Sequence, residues 1–98
     1  MPKKPESRLT GLIQKTVQRE LGGFWVKVHG GPFQMVGLPD LVGCCKGRFI
    51  GLEVKMPERA GTLTPIQAAI IRKINEAGGI AGMVTSPGEA IELINKNL

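Results

Sequence analysis

Glu53 and Lys55 stand two residues apart in the run GLEVKMP (residues 51–57), a carboxylate and an ammonium inside a stretch otherwise apolar enough for a buried strand. The only aspartate of the chain, Asp40, lies upstream in GLPDL (residues 37–41), where a Gly- and Pro-containing loop meets a second apolar run. Two carboxylates suit a hard divalent cation, because Mg²⁺ takes oxygen ligands and commonly uses one or two carboxylates plus phosphate oxygens of a substrate. A lysine beside them would orient or deprotonate an attacking water, or neutralise charge on the phosphoryl oxygens. Each feature also has a plainer account. A Glu-x-Lys pair can sit on a wet strand face, and an Asp after Pro favours a turn.

Whether these residues meet depends on the elements that carry them. Apolar residues at Leu9, Leu12, Ile13, Val17 and Leu21 recur at helical spacing and predict a helix over 6–21, ended by Gly22-Gly23. FWVKVH (24–29) reads as a first strand, 30–39 as a loop, 41–45 as a second strand and 48–56 as a third. Lys46-Gly47 is a tight turn, so the second and third strands form a hairpin. Pro57 stops the third strand. After a polar loop, Thr64 caps a helix with Pro65 at its first position, running to Ala77. Residues 80–85 read as a fourth strand, and Ser86-Pro87 opens a last helix. The order αβββαβα predicts an α/β fold with helices around a central sheet.

The hairpin brings the chemistry together. Asp40 lies six residues before Lys46 and Glu53 six after Gly47, so the two carboxylates are expected to face each other across the strands. Unpaired, they would repel, and a divalent cation would resolve the repulsion. Strand alternation puts Ile50, Leu52, Val54 and Met56 on one face and Phe49, Gly51, Glu53 and Lys55 on the other. Glu6 and Glu20 share one stripe of the first helix. If helix and first strand run antiparallel, and that strand pairs antiparallel with the second, Glu6 reaches the site and Glu20 the far end. Glu6 also has an ordinary place as an acid at a helix start. Gln67, third in its helix, has two readings: a capping box with Thr64, or a hydrogen bond to the lysine, water or phosphate of the site, at a helix start whose free N–H groups suit a phosphate.

Bulk properties narrow the classes. Ninety-eight residues fit one small domain, 1–98, with 1–5 expected to be flexible. No apolar run is long enough to span a bilayer, and the N-terminal lysines precede no apolar core, so neither a membrane protein nor a signal peptide is expected. Cys44 and Cys45 are adjacent, which argues against a disulfide framework or a Cys-rich zinc site and for a reducing, cytoplasmic compartment. Thirteen Lys and Arg against eight Asp and Glu leave a net charge of +5, which suits an anionic partner such as nucleic acid. Three Phe, one Trp and no Tyr make a poor base-stacking platform.

GLPDLVG, GRFIGLEVKMP, GTLTPIQ and AGGIAGMVTS occur in that order, and together resemble the PD-(D/E)xK nuclease superfamily, most closely the virus-type replication-repair nuclease (VRR-NUC) domain in its small stand-alone phage or bacterial form. The resemblance covers nearly the whole chain. It implies a restriction-endonuclease-like core with a central mixed four-stranded sheet, Mg²⁺- or Mn²⁺-dependent hydrolysis of DNA phosphodiesters, and a cytoplasmic site in a bacterium or phage-infected host. Asp40 and Glu53 match the metal-binding acids, and the Val54 carbonyl would add a ligand. Lys55 matches the catalytic lysine, Gln67 the glutamine after the hairpin and Glu6 the first-helix glutamate. The family's stand-alone members imply a homodimer acting on branched DNA such as Holliday junctions, since a two-fold substrate suits two copies. Lys27, Lys46, Arg48 and Arg59 would contact phosphates flanking the cut; His29 falls outside the catalytic set. The loops over 30–37 and 56–63 are candidates to order on substrate. Two rivals stand beside this expectation: a DNA-binding module without turnover, and a nuclease of linear or flap DNA without junction selectivity.

Overall fold

The computed structural model describes residues 4–30 and 35–98. Part of the 1–5 tail and part of the 30–37 loop therefore lie outside the described residues. A four-stranded mixed sheet carries the fold, with strand order β1-β2-β3-β4. The elements run α1 (Pro5–Leu21), β1 (Phe24–Lys27), β2 (Leu41–Cys45), β3 (Arg48–Val54), a 3₁₀ turn (Pro57–Arg59), α2 (Pro65–Glu76), β4 (Ile80–Val84) and α3 (Pro87–Asn97). β1–β2 and β2–β3 are antiparallel, and β3–β4 is parallel. This is the expected αβββαβα order around a mixed sheet.

Lys46 and Gly47 both take positive φ, 51° and 80°. Two successive left-handed residues make the hairpin turn whose twist matches the flanking strands, and that turn sets the register. Leu41 pairs with Leu52 and Cys45 with Arg48. One step outward, Asp40 falls opposite Glu53.

Strand alternation builds two unlike faces. Trp25, Leu41, Cys45, Ile50, Leu52 and Val54 point to one side and pack with Ile13 and Val17 of α1 and Ala90 and Ile94 of α3 in the core. α2 covers the other side over β3 and β4. It comes close because Gly51 has no side chain: a Cβ there would meet Pro39 at 3.0 Å and Ile74 at 3.1 Å. Asn75 of α2 is clipped to β4, accepting from the Ala81 N–H and donating to its carbonyl.

Several elements stop a residue or two from their expected ends. β1 runs to Lys27 rather than 29, yet the Val28 N–H still donates to the Asp40 carbonyl at 2.8 Å. β3 ends at Val54 rather than 56, yet the Lys55 N–H donates to the Val84 carbonyl at 3.0 Å. Pairing thus continues past the regular strands to the residues of interest. Pro57 does more than end β3: it opens the 3₁₀ turn in a segment read from sequence as plain loop. Among the described residues no helix is long and apolar enough to cross a membrane.

Candidate metal and catalytic site

The ends of β2 and β3, the start of α2 and the start of α1 converge at one end of the sheet. Asp40 ends the β2 side. Its Oδ2 accepts the Val54 N–H at 2.8 Å, so its side chain takes over where the β2–β3 ladder stops. That bond holds Asp40 against the backbone linking Glu53 to Lys55.

Glu53 and Lys55 are 3% and 8% exposed. The wet-face account of the pair therefore fails, since α2 roofs that face. Burying two charges is costly unless they are paired and hydrogen-bonded. Here the pairing is partial. Lys55 Nζ lies 3.9 Å from Glu53 Oε1, a loose ion pair, and Gln67 Nε2 donates to the same oxygen at 3.3 Å. Burial is the largest cause that pushes the Glu53 carboxyl up to about 8, followed by its hydrogen bond with Asp40 and the Asp40 charge. The Lys55 ammonium pulls in the opposite direction, and Glu6 adds a smaller push upward. Two acids beside one amine leave the site short of positive charge, which favours the protonated form of Glu53.

Gln67 makes the expected capping box and also reaches the site, though its partner there is the Glu53 carboxylate rather than the lysine, water or phosphate expected. Gln67 Oε1 accepts from the Thr64 N–H at 3.0 Å, and Thr64 Oγ1 accepts from the Gln67 N–H at 3.1 Å, a complete capping box. That uses the oxygen end of the amide and leaves the nitrogen end for Glu53. The sequence position of the cap thereby aims the amide at the carboxylate.

The two helix glutamates separate as topology requires. Glu6 lines a small polar cleft of about 100 Å³ together with Ser7, Thr10, Lys27, His29 and Asp40. Glu20 sits at the other end of α1, paired with Arg19 at 3.2 Å. Lys27 also reaches α1, donating to the Ser7 carbonyl at 3.4 Å. His29, kept outside the catalytic set by sequence reasoning, shares this cleft with Asp40. Its signal in the sequence is its place at the end of β1, next to the loop leading into GLPDL.

Lys46 and Arg48 do not belong with these residues. Both lie at the turn end of the hairpin. Five residues of β3 separate Arg48 from Glu53, roughly 16 Å at the strand rise. Arg48 is also committed elsewhere: Nε donates to the Gly78 carbonyl at 2.6 Å and an Nη to the Asn97 carbonyl at 3.1 Å, closing the C-terminal ends of α2 and α3. The structure thus sets these two apart from the other candidates, at the turn end of the hairpin. Arg59, in the 3₁₀ turn just after β3, is at the site end of the sheet. The segment around it is held by the Arg59 N–H to the Met56 carbonyl at 2.8 Å and, across to β4, by the Gly61 N–H to the Met83 sulfur at 3.0 Å.

Among the described residues no three His, Cys, Asp or Glu side chains form a ready-made metal cage. The donor set is a buried glutamate beside a half-buried aspartate, which fits a hard cation that completes its shell with water and phosphate oxygens. Comparison of the chain with models of known protein families, with curated proteins and with solved structures returns no match.

Proposed function

We propose that this protein is a metal-dependent endonuclease that hydrolyses DNA phosphodiesters, selective for branched DNA and acting as a homodimer. The observation that carries the reading is the buried Glu53 beside the half-buried Asp40, with Lys55 Nζ 3.9 Å from the Glu53 carboxylate. A solvated charge pair would need no burial, and a purely structural ion pair would not add a second acid.

Asp40, Glu53 and the Val54 carbonyl would hold Mg²⁺ or Mn²⁺. When bound, the cation supplies Lewis-acid stabilisation of the charge that develops on the phosphoryl oxygens. The protein's own groups do the rest. Asp40 is fixed by the Val54 N–H, and Glu53 by the Gln67 amide, so both oxygen donors are held before substrate arrives. Lys55, stiffened by burial, orients the attacking water and offsets phosphate charge. Glu6 and Lys27 border the adjoining cleft, where Lys27 meets a neighbouring phosphate. Arg59 serves the flank beyond β3.

Selectivity for branched DNA and the pairing of two copies come from the resemblance to stand-alone VRR-NUC domains. The net charge of +5 supports an anionic partner. The test is a cleavage panel of four-way junction, flap, splayed and linear duplex DNA with Mg²⁺, Mn²⁺ or EDTA. Preferential, metal-dependent cutting of the junction is the expected result. Equal cutting of all four refutes junction selectivity, and no cutting in either metal leaves a binding module.

A further inference from the structure

α2 covers the sheet over β3 and β4, and among the described residues no helix covers β1 and β2 on that side. The registers Phe24↔Cys44 and Cys44↔Phe49 place these three residues in one row across three strands. All three are exposed: Phe24 at 70% and Phe49 at 49%, with Cys44 between them. Val26, Val42 and Gly51 form the next row. No charged side chain stands in either row. Beyond Phe49 the row opens into a largely apolar cleft of about 370 Å³ between sheet and α2, walled by Met35, Leu38, Pro39, Ile70 and Ile74, with Lys73 of α2 its one charged lining residue.

We infer that this face is where a second copy of the chain docks. The inference rests on the homodimer of the reading above and supplies its surface. Three observations favour a copy over an unrelated partner. An isologous interface must be its own complement, and the row Phe–Cys–Phe reads alike from either side. A two-fold axis along the strands at Cys44 lays each Phe24 over the partner's Phe49. The row also has a knob at one end, Phe24, and a hole at the other, the cleft beside Phe49, so the same rotation fills both holes at once. Finally, the area is right. Counting an aromatic ring at about 200 Å² and scaling the others to match, the exposed apolar side chains of this face offer roughly 450 Å². A standard interface buries about 800 Å² per partner, somewhat over half of it apolar. Phe49 lies four residues before Glu53, roughly 13 Å along β3, so docking here leaves both sites open.

The test combines mass with proximity. Sedimentation equilibrium of the full chain is run for the unaltered protein, Phe24→Glu and Phe49→Glu. Either substitution occurs twice per dimer, so each weakens association by about a hundredfold if one copy costs tenfold. Both residues are exposed in the single chain, and circular dichroism checks that the variants stay folded. In parallel, a short bismaleimide joins Cys44 to its copy, since Cys45 is buried and Cys44→Ser removes the only accessible thiol among the described residues. A dimer lost in both Phe variants, with cross-linking through Cys44, is the expected result. A dimer that survives both substitutions and does not cross-link at Cys44 overturns this face while sparing the homodimer. A monomer at 100-micromolar concentrations (on the order of a weak specific affinity) overturns both. None of these outcomes bears on whether Asp40 and Glu53 cut DNA, which the cleavage panel decides separately.

Discussion

Replacing Glu53 with Gln should make the metal-free protein more stable at alkaline pH while disabling its chemistry. The folded carboxyl is pushed up to about 8, mainly by burial and by Asp40, whereas the unfolded one titrates near 4.3. Between these values the folded state holds a proton that the unfolded state has lost. The contribution of Glu53 to stability is therefore full below about pH 4.5 and declines as the pH rises through about 8. A displacement that large is worth at most about 5 kcal/mol, a large part of the 5–15 kcal/mol typical of a small domain. The amide introduced by Glu53→Gln has no proton to lose, keeps the shape, and can still accept from Gln67 and donate to Asp40. Urea unfolding in EDTA at pH 5, 7 and 9 reads the difference. The two proteins should match within about 1 kcal/mol at pH 5, and Glu53→Gln should be the more stable by up to about 5 kcal/mol at pH 9. Glu89, whose carboxyl is held low by hydrogen bonds from Thr85, loses its contribution only below this window, as the pH falls through its folded value. Mg²⁺ should restore the unaltered protein at pH 9, by about 2.7 kcal/mol at a hundred times the dissociation constant, and leave the variant unchanged. An unaltered protein whose stability is flat or rising from pH 5 to 9, or a variant that declines in parallel, refutes the reasoning.

Two further pairs of substitutions separate building from binding. Arg48→Ala should cost about 1–3 kcal/mol in urea unfolding, because two helix-end carbonyls lose a charged donor, and leave the salt dependence of DNA binding unchanged. Lys27→Ala, at the cleft, should instead reduce that slope by about one charge; the reverse pattern would return Arg48 to the DNA surface. Thr64→Ala and Gln67→Ala should each lose about 1 kcal/mol of cap, but only Gln67→Ala should also slow cleavage at least tenfold (about 1.4 kcal/mol), because only it frees the Glu53 carboxylate. Equal cleavage by both variants would confine Gln67 to the capping box.

How far the site is legible in the sequence follows from the range of each interaction. Asp40 and Glu53 can be paired on paper because a two-residue turn at Lys46-Gly47 makes register a matter of counting. Glu6 and Glu20 can be told apart because the direction of α1 against β1 is set by a two-residue link. Gln67 carries its own clue, three positions after a capping Thr. What the sequence hides is docking. Period two puts Glu53 and Lys55 on one face but is silent on whether water or α2 lies over it, and the burial that raises the Glu53 carboxyl comes from that helix. The structural role of Arg48 is hidden for the same reason: its partners Gly78 and Asn97 are 30 and 49 residues away, and nothing local marks an arginine as a clamp on two helix ends. His29 reads as a lone histidine in the sequence, though the β1–β2 pairing carries it into the cleft with Glu6 and Asp40.

The most direct measurement is single-turnover cleavage of a labelled four-way junction by the unaltered protein, Asp40→Asn and Lys55→Ala, in Mg²⁺ and in EDTA. Both variants should stay folded and bind the junction as tightly as the unaltered protein. Cutting should occur only in Mg²⁺ and fall by about a thousandfold or more in each variant, the scale of losing a group that acts on developing charge. Undiminished cutting by Asp40→Asn, or by the unaltered protein in EDTA, would contradict a metal-dependent site at Asp40 and Glu53.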